Sequence, residues 1–220
     1  PIDRLLRGGF PTGVVSLAYG EAETGKSTLA LQTAVNCVKL GYKAFFVDCD
    51  QTFSPKRVAE VAGGELGDLS DLVVFSPKTF SEQNALIDDL EKYLTPRVKL
   101  VVFDSITTLY RAEIERAPKS FLLHRELNAR LALLAEYAKS HDLAVLLTSQ
   151  VREKLSDEGR GVVEPVASRA LIYWSSVVLK LVKTPRREVR RIYLEKWGGS
   201  GVEGVFCEVK LGERGFEEAK

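Results

Sequence analysis

The 220-residue chain contains no methionine, two histidines and three cysteines. Cys37, Cys49 and Cys207 are odd in number and far apart, with neither CxxC nor zinc spacing. That argues against a disulfide framework and a structural zinc site, and leaves reduced thiols in a cytoplasmic protein. His124 and His141 have no metal-spaced partner and read as structural or surface residues. No Ser–His–Asp or paired-acid hydrolase arrangement is present. No stretch approaches the roughly 20 apolar residues that a membrane helix requires, and no signal peptide opens the chain. The missing methionine suggests that the initiator was removed ahead of Pro1. A net charge of +1 gives no global attraction to nucleic acid or membrane, so any such affinity must come from a local patch. Repeats, low-complexity tracts and composition shifts are also lacking, so residues 1–220 are expected to form one α/β domain.

What is present is a set of short, nearly continuous apolar runs: Val14–Tyr19, Ala44–Asp48, Leu72–Phe75, Leu100–Asp104 and Leu143–Thr148. Strands of this kind suit a sheet buried on both faces, which is usually parallel. Helical patterns lie between them at Lys26–Leu40, Pro55–Ala62, Ser81–Leu94 and Phe121–Ser140, so the alternation predicts βαβ units. Val177–Val182, Val189–Glu195 and Gly204–Val209 then follow without long helices. Lys183–Glu188, with Pro185, reads as a hairpin turn. The expected fold is a mainly parallel central sheet flanked by helices and finished by antiparallel strands. Tyr110–Lys119 and Val151–Val166 read as long loops, which in compact domains are often functional.

Gly20-Glu21-Ala22-Glu23-Thr24-Gly25-Lys26-Ser27 matches GxxxxGK[ST] between a strand and a helix and is followed by Thr28. In such a loop the glycines permit backbone shapes closed to other residues, and the N–H groups and helix N-terminus face phosphates. Lys26 would neutralise the β- and γ-phosphates of ATP, and the Ser27 hydroxyl would join a Mg²⁺ shell. Lys99–Asp104 is an apolar strand ending in a carboxylate, and Asp104 is expected to hold Mg²⁺ through water. Asp48-Cys49-Asp50 ends another strand. Its carboxylates are expected either to position the attacking water or, for one of them, to cap the helix entered near Ser54-Pro55. Gln150, at a third strand end, is placed to sense the γ-phosphate and pass its state to the following segment.

The order of these motifs resembles the RecA-type recombinase core, in its archaeal and eukaryotic strand-exchange branch and nearest to an archaeal paralogue group of the RecA/RadA family. The likeness runs from Ile2–Gly9 and Thr12-Gly13 through the phosphate loop and Asp48–Pro55. It continues through Phe103–Arg111, Leu147–Gln150 and Pro165–Trp174. The resemblance implies a RecA-like P-loop fold, ATP and Mg²⁺ as ligands, DNA (single-stranded or branched) as partner and nucleoid association. It also implies the recombinase RadA and a Holliday-junction resolvase as protein partners. Two departures stand out. The chain starts at the ATPase core, so an N-terminal helical DNA-binding domain and the polymerisation linker are not expected; homodimers are, and long filaments are not. The family's usual Glu-Gly is here Asp50-Gln51. A carboxylate one methylene shorter sits about 1 Å farther from the water, a misplacement that can cost on the order of 100-fold in rate. Tight ATP binding with very weak, DNA-independent hydrolysis is therefore expected, with Lys26, Asp50 and Gln150 the catalytic set.

By the same resemblance, Tyr110–Lys119 and Val151–Val166 correspond to the family's two DNA-facing loops, which puts Arg111, Arg152, Lys154 and Arg160 at DNA. Arg186, Arg187, Arg190 and Arg191 form the densest positive run and are further candidates for phosphate contacts, although Arg190 and Arg191 would point to opposite faces of a strand. Tyr110 and Trp174 offer faces for base stacking, with core packing the competing role for Trp174. The leading expectation is an ATP-binding repair and recombination accessory protein with little strand exchange alone. An active strand-exchange ATPase and a RecA-fold signalling ATPase without DNA are the alternatives.

Overall fold

The computed structural model describes residues 1–64, 70–116, 120–155 and 161–219. A short helix α1 (Ile2–Leu5) precedes β1 (Val15–Gly20), α2 (Lys26–Lys39), β2 (Lys43–Asp48), α3 (Pro55–Ala62) and β3 (Leu72–Phe75). Next come α4 (Phe80–Asp89), a 3₁₀ turn (Leu90–Tyr93), β4 (Val98–Asp104), α5 (Thr108–Arg116), α6 (Ser120–Ser140) and β5 (Ala144–Ser149). The chain continues through β6 (Val151–Leu155), β7 (Gly161–Pro165), α7 (Ser168–Trp174), β8 (Ser175–Lys183) and β9 (Val189–Trp197). It ends with β10 (Ser200–Gly201), β11 (Phe206–Gly212) and β12 (Gly215–Glu218).

The main sheet has the order β12-β11-β9-β8-β1-β5-β4-β2-β3, with β10 beside β9. Strands from β8 through β3 pair in parallel, whereas β8–β9, β9–β11 and β11–β12 pair antiparallel. The RecA-like architecture is thus as expected, and α3 and β3 have the expected boundaries. The apolar runs are continuous because both faces are covered. Leu17, Val101, Phe103 and Leu147 pack with Leu127, Leu131 and Leu134 of α6. Their strand neighbours Ala18, Val102 and Leu146 pack with Leu29, Ala30 and Val35 of α2. Alternate residues of one strand therefore belong to two different cores.

Two expectations fail. Residues 108–116 form α5, not a loop. Leu109 and Tyr110 are buried and Ile114 packs on the core, a helical spacing obscured by the charges among them. Residues 151–165 hold an antiparallel hairpin, with Val151 opposite Pro165 and Leu155 opposite Gly161. Its charged composition hides a two-stranded ladder that lies outside the main sheet. Residues 117–119 and 156–160 of those two segments lie outside the described residues. The pattern also missed α7, which turns the chain from β7 into β8, and β12, which closes the antiparallel flank.

Candidate nucleotide site

The P-loop runs from the end of β1 into α2, and each of its motif glycines has a separate physical reason. A Cβ on Gly20 would lie 2.3 Å from the Leu181 carbonyl oxygen of the adjoining β8. Gly25 is the residue before α2 at φ +97°, and a Cβ there would lie 2.5 Å from Cζ of Phe216. Gly25 thus combines a left-handed backbone with close approach, whereas at Gly20 close approach alone excludes a side chain. Both neighbours come from the antiparallel flank. That flank also pins the P-loop from behind: Gln32 of α2 exchanges two hydrogen bonds with the Phe216 backbone, at 3.1 and 2.8 Å. Tyr19 donates to Glu195 of β9 at 2.6 Å.

Lys26 is 6% exposed and donates to the carbonyls of Gly20 at 2.8 Å and Glu21 at 2.7 Å. Burial pushes its pKa down, opposed by the carboxylates of Asp104 and Asp50. Asp104 ends β4 and is 2% exposed; it accepts from Thr148 at 2.5 Å and from Ser27. Burial raises its pKa, the two hydroxyl donors lower it, and Asp50 and Asp48 raise it further. A cavity of about 780 Å³ brings together Lys26, Ser27, Thr28, Asp50, Asp104 and Gln150, along with Ala22, Glu23 and Gly25 of the loop. Four separate strand ends thus deliver side chains to one place.

The two carboxylates of Asp48-Cys49-Asp50 part company. Asp48 is buried and accepts from the backbone N–H groups of Thr52 and Phe53 at 3.1 and 2.9 Å, so it shapes the turn leading to α3. Asp50 lines the cavity and accepts from the Ser105 N–H at 3.4 Å. Gln51, beside it, holds φ +56°, a left-handed conformation in which a glycine carries no steric penalty. Gln150 also closes the base of the β6–β7 hairpin, its carbonyl accepting from the Val166 N–H at 3.0 Å. The nucleotide-facing strand end and the hairpin therefore share one residue.

The residues expected at DNA scatter. Arg111 is exposed on α5. Arg152 and Lys154 stand on β6, opposite Glu164 and Val162, and Arg160 lies outside the described residues. Arg190 and Arg191 do face opposite ways. Arg190 donates to the Glu23 carbonyl at 3.1 and 3.3 Å, while Arg191 pairs with Glu208 at 2.6 Å and lies over the Phe206 ring. Arg186 also pairs with Glu208, at 3.1 Å, and Arg187 lines the P-loop cavity. Tyr110, expected to present a face to bases, is 1% exposed, bonds to His124 and packs on Phe80, so it is a core residue. Trp174 packs against the core and donates to Asn128 at 3.0 Å. His141 is a surface partner of Glu91.

The family model described as Rad51 matches residues 1–194. The chain belongs to the Rad51 family. Relatives named DNA repair and recombination protein RadB match it over nearly its full length. The one from Methanococcoides burtonii is 34% identical, covering 96% of this chain and 92% of its own. The one from Thermococcus kodakarensis is 35% identical, covering 100% and 96%. The crystal structure of the RadB recombinase superposes with a TM-score of 0.81 at 33% identity, covering 100% of this chain and 96% of that one. No helix among the described residues is long and apolar enough to cross a membrane.

Proposed function

We propose that this protein binds ATP with Mg²⁺ at the Gly20–Ser27 loop, hydrolyses it very slowly, and serves DNA repair and recombination as a nucleotide-controlled accessory protein. The observation that carries the reading is the convergence of Lys26, Ser27, Asp104, Asp50 and Gln150 on one cavity. The donor set fits the ligand. A buried ammonium suits a polyphosphate, and a hydroxyl bonded to a buried carboxylate, Ser27 with Asp104, suits a hard divalent cation and its waters. Mg²⁺, when bound, supplies positive charge against the polyphosphate. Lys26 contributes charge and orientation. In this reading Asp50, which lines the cavity, would activate the water, and its short side chain and its bond to the Ser105 N–H would hold it back. Slow turnover follows.

DNA enters the reading through family membership and through the relatives, whose names state DNA repair and recombination. Arg111, the β6–β7 hairpin with Arg152 and Lys154, and the Arg186/Arg191 face would meet phosphates of single-stranded or branched DNA without reading sequence. Gln150, shared by cavity and hairpin, is the route by which nucleotide would alter that contact. RadA, a Holliday-junction resolvase and a second copy of the chain are the protein partners of this reading. One experiment tests it: ATP affinity, ATPase rate and DNA affinity across a salt series, for wild type and Lys26→Ala. Micromolar or tighter ATP binding that needs Lys26, together with salt-sensitive DNA binding, supports it. An ATPase rate on the scale of the active strand-exchange enzymes, or DNA affinity that ignores salt, would overturn it.

A further inference from the structure

The turn between β8 and β9 does not stand apart from the nucleotide cavity. Lys183, Arg187 and Arg190 line the same cavity as Lys26 and Ser27. Register explains this: Lys183 pairs with Arg190 across the hairpin, and β8 runs beside β1, which leads into the P-loop. The tip of the hairpin is thereby carried over the loop. Lys183 forms an ion pair with Glu23 at 3.1 Å, and Arg190 clamps the carbonyl of the same residue. Glu23 sits at φ +64°, a conformation that a non-glycine residue keeps only where its surroundings impose it. In that conformation Glu23 meets both hairpin cations, one through its side chain and one through its carbonyl.

The charges on the hairpin then divide by face. Glu208 takes Arg186 and Arg191, and Glu188 takes Lys210. Arg187 and Arg190 make no ion pair among the described residues and act on the Glu23 carboxylate only through space. The cavity holds four cations, Lys26, Lys183, Arg187 and Arg190, against three carboxylates, Glu23, Asp50 and Asp104. Lys183 also adds to the lowering of the Lys26 pKa, so the two ammonium groups repel each other across this space. Concentrated cations around a phosphate loop, two of them in no ion pair among the described residues and sharing Glu23 as a through-space counter-charge, are what a multiply charged anion neutralises.

We propose that Lys183, Arg187 and Arg190 of the β8–β9 hairpin bind the polyphosphate of the nucleotide held by the P-loop of the same chain. This rests on the nucleotide reading above. It removes Arg187 and Arg190 from the DNA-facing set and adds hairpin cations to the lining that already holds Lys26.

Arg187 is the residue to test, because its side chain makes no hydrogen bond or ion pair among the described residues and its loss should leave the fold intact. Calorimetric titration compares Mg-ATP and inorganic tripolyphosphate on wild type, Arg187→Ala, Arg187→Lys and Arg186→Ala, with thermal melts as the folding check. The expected result is about a tenfold weaker affinity for both ligands in Arg187→Ala, near recovery in Arg187→Lys, and less than about twofold change in Arg186→Ala. Unchanged affinities in Arg187→Ala would overturn the proposal. So would a loss for ATP without a loss for tripolyphosphate, since Arg187 would then face the base or sugar. If wild type itself binds no nucleotide, or Lys26→Ala binds as wild type does, the nucleotide reading falls and takes this proposal with it. The two failures are therefore distinguishable.

Discussion

The parallel and antiparallel halves of the main sheet contribute to one site in different ways. The parallel half, β1, β2, β4 and β5, supplies the groups expected to touch nucleotide and metal, all at strand ends: Lys26 and Ser27 after β1, Asp50 after β2, Asp104 on β4 and Gln150 after β5. The antiparallel half, β8 to β12, supplies the mould. Leu181 and Phe216 press on Gly20 and Gly25, Gln32 is locked to Phe216, and the β8–β9 turn adds cations over Glu23. Chemistry in the first half is carried by residue type at a given place in a motif. In the second half it is carried by register and close approach, which depend on strands distant in sequence.

The strongest way to break this division is to remove the central charge of the parallel half. Lys26→Ala is expected to weaken Mg-ATP binding at least about 100-fold, while thermal stability stays level or rises because a buried ammonium is lost. Equilibrium titration and a melting curve read both. A large fall in stability would mean that Lys26 holds the loop and does not wait for phosphate. The next test acts on the mould. Phe216→Ala removes a buried ring from above Gly25 and should cost about 3 kcal/mol in denaturant unfolding, with nucleotide affinity falling as the loop loses its backing. If affinity holds, the antiparallel half is only a lid on the core.

A smaller effect separates stability from function at one residue. Burial raises the Asp104 pKa, so its carboxyl is harder to ionise in the fold than in the unfolded chain. The ligand-free fold is therefore penalised as pH rises from the ordinary aspartate range through the raised value, and the penalty persists above it. Asp104→Asn should stabilise the ligand-free protein by about 1 kcal/mol near pH 7, a few degrees in Tm. That gain should close as pH falls to the ordinary aspartate range, while Mg-dependent nucleotide affinity drops. An Asn variant less stable than wild type at neutral pH would show that the Ser27 and Thr148 hydrogen bonds outweigh burial. The smallest effect belongs to Gln51. Gln51→Gly relieves a left-handed non-glycine residue and should stabilise by about 0.5–1 kcal/mol, with nucleotide affinity unchanged.

The same division explains what could be read from the sequence. The P-loop, Asp104 and Gln150 were legible because strand-end position and residue type are local signals, and the structure places all of them at one cavity. The fate of Asp48 was legible only as one of two roles, because the choice depends on which carboxylate meets the Thr52 and Phe53 N–H groups. Helix α5 was hidden because Leu109, Tyr110 and Ile114 lie among five charged or polar residues that together resemble a loop. The β6–β7 ladder was hidden because its pairing lies outside the main sheet. Strand alternation made the opposite facing of Arg190 and Arg191 legible, but which neighbour each meets depends on β9 pairing with β8 on one side and β11 on the other. No local pattern reveals that Phe216, 191 positions after Gly25, is what makes a glycine necessary there.

The P-loop is expected to hold nucleotide tightly while the Asp50 carboxylate falls short of the attacking water. The most direct measurement is single-turnover ATP hydrolysis by wild type and Asp50→Glu, with Mg-ATP affinity measured on the same preparations. Affinities within about twofold of each other and a rate at least about tenfold higher in Asp50→Glu are expected, since restoring one methylene recovers part of a roughly 100-fold misplacement. Equal rates in the two proteins, or a wild type already as fast as the variant, would contradict the account.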